Sequence, residues 1–250
     1  MATQYIYVMG SGTGAGKSTV CMVILAQLLA AGFDPKQLAY IKPVTQCIAQ
    51  QPVALFCEHT GIAYVDIGPL VFKKGFSKEF IAGLTKPAAV LMPNILALIR
   101  NLGKDKAIVI IDGIGHPAVG SVVGVSNVDL ALALSAKALF VGNPGVGAAL
   151  DNTVLCVSFM QTKGLNDIGV LYNKIPVSAF SGIKRLLSQR LPELLPDIIL
   201  LGFIGDDITI KTPWTDNCDD VIAHWANAYL DANTLHDWLG LKAASAYRNH

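Results

Sequence analysis

The run Gly10-Ser11-Gly12-Thr13-Gly14-Ala15-Gly16-Lys17-Ser18-Thr19 constrains this chain more than any other part of it. It follows an apolar stretch at 5–9 that reads as a β-strand. It precedes residues 18–31, which read as a helix ended by Gly32. A glycine-rich turn between strand and helix is the context a phosphate-binding loop requires. Its glycines let backbone N–H groups turn inward and let phosphates approach closely. Lys17 can reach the β and γ phosphates, the Ser18 hydroxyl can take a Mg²⁺ position, and the helix sets its positive end under the anion. Candidate binding residues are Gly12, Thr13, Gly14, Ala15, Gly16, Lys17, Ser18 and Thr19. The spacing departs from the common G-x-x-x-x-G-K-[ST] form. Ser11 stands where the outer glycine belongs, and Gly10 lies one residue further out. The bland alternative is a glycine-rich turn with an incidental lysine.

Beyond the loop, short β-branched runs alternate with helical patterns. Strands are expected at 5–9, 38–41, 107–112, 138–142, 168–172 and 198–204. These runs are apolar throughout rather than alternating, as expected of strands covered on both faces. Strand–helix alternation then implies an α/β fold of the P-loop NTPase-like, doubly wound type: a mainly parallel sheet with helices on both faces. With no internal repeat or low-complexity linker, residues 1–250 read as a single P-loop domain. The apolar spacing of Val221, Trp225, Tyr229, Leu230, Leu235, Trp238 and Leu239 suggests a helical C-terminal tail at 215–240, packed on that domain or on a partner.

Only 15% of the residues are charged while 52% are hydrophobic, which excludes intrinsic disorder. A net charge of +1 argues against a nucleic-acid partner. Five cysteines, Cys21, Cys47, Cys57, Cys156 and Cys218, form no CxxC motif, so a reduced cytoplasmic protein is expected. The apolar segment after Lys17 resembles a signal peptide, but the strand and glycine loop before it argue against that reading. No uninterrupted apolar run reaches the roughly 18 residues of a membrane helix, so no membrane partner is expected. Ser121 to Leu150 is very apolar, yet Asn127, Asp129, Lys137 and Asn143 interrupt it.

Further motifs recur at strand ends: Ile41-Lys42-Pro43-Val44, Ile111-Asp112-Gly113-Ile114-Gly115 and Leu171-Tyr172-Asn173-Lys174. In this order, over about residues 3 to 207, the chain resembles the dethiobiotin synthetase family. It also resembles that family's relatives, the cobyrinic acid amide synthases and the non-catalytic P-loop domain of some phosphate acetyltransferases. The resemblance implies an ATP- and Mg²⁺-dependent ligase that takes a small diamine-like substrate. The diamine takes up CO₂ as a carbamate, ATP phosphorylates the carbamate, and the second amine closes a cyclic urea. By the same resemblance Lys17 and Lys42 would be catalytic, Ser18 and Asp112 would hold the metal, and Asn173 and Gly205 would line the base pocket. It also implies a homodimer, with the apolar Ser121 to Leu150 region at the interface. Read without the family, Lys42 is a strand-end lysine, Asp112 a turn aspartate, and Asn173 a turn or cap residue. His116 and the pair Asp206-Asp207 read as structural or solvated. Lys73-Lys74 reads as exposed loop charge, and Cys47 lies near the substrate edge with nothing to activate it.

Three departures from the family pattern favour the alternative of a nucleotide-binding regulatory module. Gly14 stands where that family has a glutamate. Asp112 replaces the glutamate that ends the third of the expected strands. Gln51-Pro52-Val53 occupies the place of a metal-ligating aspartate, with Glu58 the nearest acidic residue. Two segments fit the phosphate-acetyltransferase-associated domain better: Gly75-Phe76-Ser77-Lys78-Glu79-Phe80, and His116-Pro117 followed by Gly120-Ser121 and Ser126-Asn127.

Overall fold

A computed structural model describes residues 2–46, 48–206 and 232–241. Nine strands are described: β1 (Gln4–Gly10), β2 (Leu38–Ile41), β3 (Val44–Thr45), β4 (Ala63–Val65), β5 (Leu70–Val71), β6 (Ile108–Asp112), β7 (Lys137–Gly142), β8 (Ile168–Ile175) and β9 (Ile199–Gly205). The helices are α1 (Lys17–Ala30), α2 (Pro52–Thr60), α3 (Phe76–Ile81), α4 (Ala88–Leu102), α5 (Asn127–Ala133), α6 (Gly147–Thr162), α7 (Phe180–Leu194) and α8 (Ala232–Leu239). Seven strands form one parallel sheet in the order β4-β2-β6-β1-β7-β8-β9, and β3 pairs with β5 in a small separate ladder. The six strands expected from the apolar runs are all in the large sheet. The seventh, β4, extends its edge.

Side chains alternate between two cores. Tyr7, Met9, Val109, Ile111, Phe140, Val170 and Tyr172 face α4, α5, α6 and α7. Ile6, Val8, Leu38, Tyr40, Ile108, Ile110, Leu139, Val141 and Leu171 face α1, α2 and α8. Burial on both faces leaves almost no strand position for a charge, which accounts for the low charge content. The Ser121–Leu150 region follows the same rule. Val128, Leu130, Ala131, Leu139, Phe140, Val141 and Ala149 are core residues of this chain, and β7 lies against β1. Most of its apolar character is therefore spent inside the fold, while Val122 and Leu132 are exposed.

The C-terminal tail is seen as α8, while 215–231 lies outside the described residues, as do Cys47, Asp207 and Cys218. Leu235 and Trp238 of α8 are buried, the Trp238 indole donates to Asp167 Oδ1 at 2.9 Å, and Gln4 Nε2 donates to the Leu239 carbonyl at 3.0 Å. These contacts hold α8 at the N-terminal ends of β1, β7 and β8. No helix among the described residues is long and apolar enough to cross a membrane.

Candidate nucleotide site

All strands of the large sheet run in one direction, so their C-terminal ends form a single edge, where ligands of open α/β sheets bind. The loop 10–16 sits there between β1 and α1. It is stitched to its neighbours through Gly10 N–H to the Gly115 carbonyl (3.1 Å) and Ser11 N–H to the Val141 carbonyl (3.0 Å). Gly16, which caps α1, has φ +84°, and a Cβ there would stand 2.2 Å from Asn173 Nδ2. Only glycine meets both demands without strain.

Strand parity builds the rest of the site. Ile108 and Ile110 face α1, so Asp112, two residues on, faces it too. Tyr40 pairs in register with Ile110, and Lys42 follows Tyr40 by two. The result is a cluster around one oxygen. Asp112 Oδ2 accepts from Ser18 Oγ (2.7 Å), Lys42 Nζ (2.8 Å) and Tyr40 OH (3.0 Å). Asp112 is fully buried, and its other oxygen, Oδ1, has no partner among the described residues. Burial, then the charge of Asp112, holds the Tyr40 phenol well above its ordinary pKa, so Tyr40 remains a donor. Burial lowers the Lys17 pKa, with Asp112 pulling the other way. The Lys17 ammonium donates to the Gly12 carbonyl at 3.2 Å.

A cleft of about 520 Å³ opens above this cluster. Of the expected residues, Thr13, Gly14, Gly16, Lys17, Ser18 and Thr19 line it from the loop side. Lys42, Asn173 and Gly205 line it from the strand ends. Gly12 and Ala15 are not on its wall; their carbonyls serve as acceptors inside the loop. Asn173 is nearly buried, and its Nδ2 donates to the carbonyls of Ala15 (3.0 Å) and Gly16 (3.4 Å). Its donor therefore clamps the loop.

Three residues that sequence reasoning left unassigned complete the site. Tyr40 is one. Lys174, at φ +59°, donates to the Gly14 carbonyl at 2.6 Å. Asn127 donates to the carbonyls of Ile114 (2.7 Å) and His116 (2.8 Å), fixing the loop after β6, while Tyr7 OH donates to its Oδ1 at 3.2 Å. The signal for Asn127 was its place directly after Ser126, the N-cap of α5, in a capping box with Asp129.

The donor set suits a hard cation: the Ser18 hydroxyl and the buried Asp112 carboxylate, whose Oδ1 is unpartnered among the described residues. No group of three or more His, Cys, Asp or Glu residues that could hold a metal occurs among the described residues. Such an ion would take most of its shell from phosphate oxygens and water, which Mg²⁺ accepts readily. Gln51 and Pro52 line the cleft where the family's second carboxylate was sought, and Gln51 Nε2 donates to the Ala49 carbonyl at 2.8 Å.

Comparison with known proteins agrees with this geometry. The model of a family described as "AAA domain" matches residues 4–199. An ATP-dependent dethiobiotin synthetase of Methanococcus vannielii is 26% identical over 172 residues, covering 68% of this chain and 79% of that protein. One from Anaeromyxobacter sp. strain K is 24% identical over 184 residues, covering 68% and 76%. The MinC:MinD cell division protein complex of Aquifex aeolicus superposes with a TM-score of 0.56 at 12% identity, covering 96% of this chain and 97% of that one. MinD alone, from the same organism, gives 0.53 at 15% identity, covering 96% and 98%. At such identities the solved structures speak for the fold alone. From the loop, the strand-end motifs and the family match together, the chain belongs to the AAA-domain family and is a dethiobiotin synthetase-like P-loop protein.

Proposed function

We propose that this chain is an ATP- and Mg²⁺-dependent ligase of the dethiobiotin synthetase type, acting on a diamine-like small molecule. The observation that carries the reading is the convergence of Ser18, Lys42 and Tyr40 on Asp112, directly beneath a loop bearing Lys17. In the reaction an amine of the substrate adds CO₂ and loses a proton to give a carbamate. A carbamate oxygen attacks the γ-phosphorus and ADP leaves. The second amine then attacks the carbonyl carbon, phosphate departs, and the ring closes. Phosphoryl transfer of this kind is catalysed mainly by positioning and charge. Lys17 lies where it can bridge the β and γ phosphates. Lys42, which shares Asp112 Oδ2 with Ser18, would balance charge on carbamate and γ-phosphate. Ser18 and Asp112 would hold Mg²⁺, which neutralises phosphate charge when bound. Asn173 holds the loop in shape, and Gly205 lines the cleft.

The purified chain is to be mixed with Mg-ATP, bicarbonate and a vicinal diamine carrying a carboxylate tail. Diamine-dependent phosphate release is expected, lost in Lys17→Ala together with ATP binding. Release that no diamine stimulates would sink the ligase reading. Equal ATP affinity in Lys17→Ala and the parent would sink the loop assignment.

A second reading, a nucleotide-binding module without ligase chemistry, is favoured by one observation. Gln51 and Pro52 line the cleft at the place of the family's second carboxylate. It predicts tight ATP binding with turnover at background.

A further inference from the structure

Beside the nucleotide cleft lies a second cavity of about 490 Å³, within the usual range for small-molecule sites. Gln46 lines both. One wall is the β5–α3 segment with Lys73, Lys74 and Lys78. The other is the turn after β6, with His116 and Ser121. Those are the two segments whose sequence fits the synthetase pattern poorly, and the fold brings them face to face. No carboxylate lines the cavity. Glu79, on α3, pairs with Lys73 at 3.6 Å, whereas Lys74 and Lys78 have no ionic partner among the described residues. The Phe72 and Phe76 rings, 5.4 Å apart, give the same wall an apolar part. Two ammonium groups without an ionic partner, beside a third that Glu79 compensates, repel a cationic diamine and attract its opposite.

We infer that this cavity binds a small anionic molecule, a carboxylate or phosphate ester with a short apolar body. The site is fixed to the nucleotide edge at both walls. β3 continues from Lys42-Pro43 and pairs with β5, and Phe72 N–H donates to the Thr45 carbonyl at 2.8 Å. On the other wall His116 follows Gly115, whose carbonyl accepts from Gly10 of the loop. The site is distinct from the ligase reading and does not depend on it.

The test is calorimetric titration of the full chain with hexanoate, hexyl phosphate and hexylamine at one ionic strength. At least one of the anions should bind saturably, and hexylamine should neither bind nor compete. Lys74→Ala/Lys78→Ala should weaken the anion about tenfold or more, the scale of lost hydrogen bonds to charged groups. Lys17→Ala should leave it unchanged. Hexanoate against hexyl phosphate tells carboxylate from phosphate recognition. The inference is overturned if neither anion binds saturably, if the double variant binds like the parent, or if only Lys17→Ala weakens binding, which would put the anion on the loop. ATP affinity measured on the same Lys17→Ala sample reports separately on the nucleotide reading.

Discussion

Tyr40→Phe removes one oxygen from the centre of the site. The hydroxyl is fully buried, stands 3.0 Å from Asp112 Oδ2, and keeps its proton because burial and the neighbouring carboxylate both oppose ionisation. A hydrogen bond to a charged acceptor contributes about 1.5–3 kcal/mol net. Here Ser18 at 2.7 Å and Lys42 at 2.8 Å stay on the same oxygen, so the carboxylate is not orphaned. That places the cost at the low end, about 1.5 kcal/mol, which for a chain of this size lowers Tm by about 3–6 °C. Lys42→Ala is the useful contrast. It leaves a buried carboxylate without its ion-pair partner, and breaking such a pair costs about 3–5 kcal/mol. Thermal and urea unfolding of both variants, without nucleotide, measures the two numbers. If Tyr40→Phe melts within about 1 °C of the parent, or costs as much as Lys42→Ala, the described sharing of Oδ2 is wrong.

Gly16→Ala forces a left-handed backbone on alanine and drives Cβ into Asn173, so it should cost about 1–3 kcal/mol and weaken ATP binding; an unchanged affinity would contradict the clamp. Trp238→Ala removes a buried ring and its bond to Asp167, for about 3–5 kcal/mol by unfolding. Because α8 sits at the opposite sheet edge, nucleotide affinity should survive in that variant, and its loss would misplace the helix. Burial holds the phenols of Tyr7 and Tyr40 and the thiol of Cys21 above their ordinary values of 10.0 and 9.0, and pushes Cys57 up to about 12 and Cys156 to about 11. The unfolded chain sheds these protons first, so the stability these groups contribute is fully present below about pH 9 and is lost as pH rises further. Burial shifts Lys17 downward, the opposite sense, but it is one group against five. Melting temperature that climbs above about pH 9 would refute this balance.

The apolar runs announced six of the seven strands of the large sheet because strands buried on both faces have no other composition available. β4 escaped notice although Ala63-Tyr64-Val65 is apolar, because three half-buried residues at a sheet edge are too short to stand out as a strand. β3 and β5, of two residues each, are shorter than any periodicity can register. At the site, Lys17 and Ser18 stood out through the glycine-rich loop that precedes them, and Lys42 and Asp112 because a charged side chain at the end of an apolar strand has no packing role. Tyr40 did not, since within Leu38–Ile41 it is indistinguishable from core. Its approach to Asp112 depends on the pairing of Tyr40 with Ile110, a tertiary fact. Lys174 and Asn127 likewise acquire meaning only through residues more than ten positions away.

The departures from the synthetase pattern share a direction. Gly14 replaces an acidic residue, takes φ +85°, and offers its carbonyl to Lys174. The loop thereby loses a negative charge and gains a cation above it. Around the cleft, Lys17, Lys42 and Lys174 stand against two carboxylates, the fully buried Asp112 and Asp206 at the cleft wall. Beside it, Lys73, Lys74 and Lys78 line the second cavity without a lining carboxylate. An excess of positive charge favours the triphosphate and any anionic ligand, and it disfavours a protonated diamine. The half of this edge at the loop therefore keeps Lys17, Ser18 and Asp112, while the half at the second cavity is lined by cations. Those two halves can be separated by experiment. ATP binding that depends on Lys17, with anion binding that depends on Lys74 and Lys78, would establish two separate ligand sites on one sheet edge, the phosphate loop and the cavity beside it.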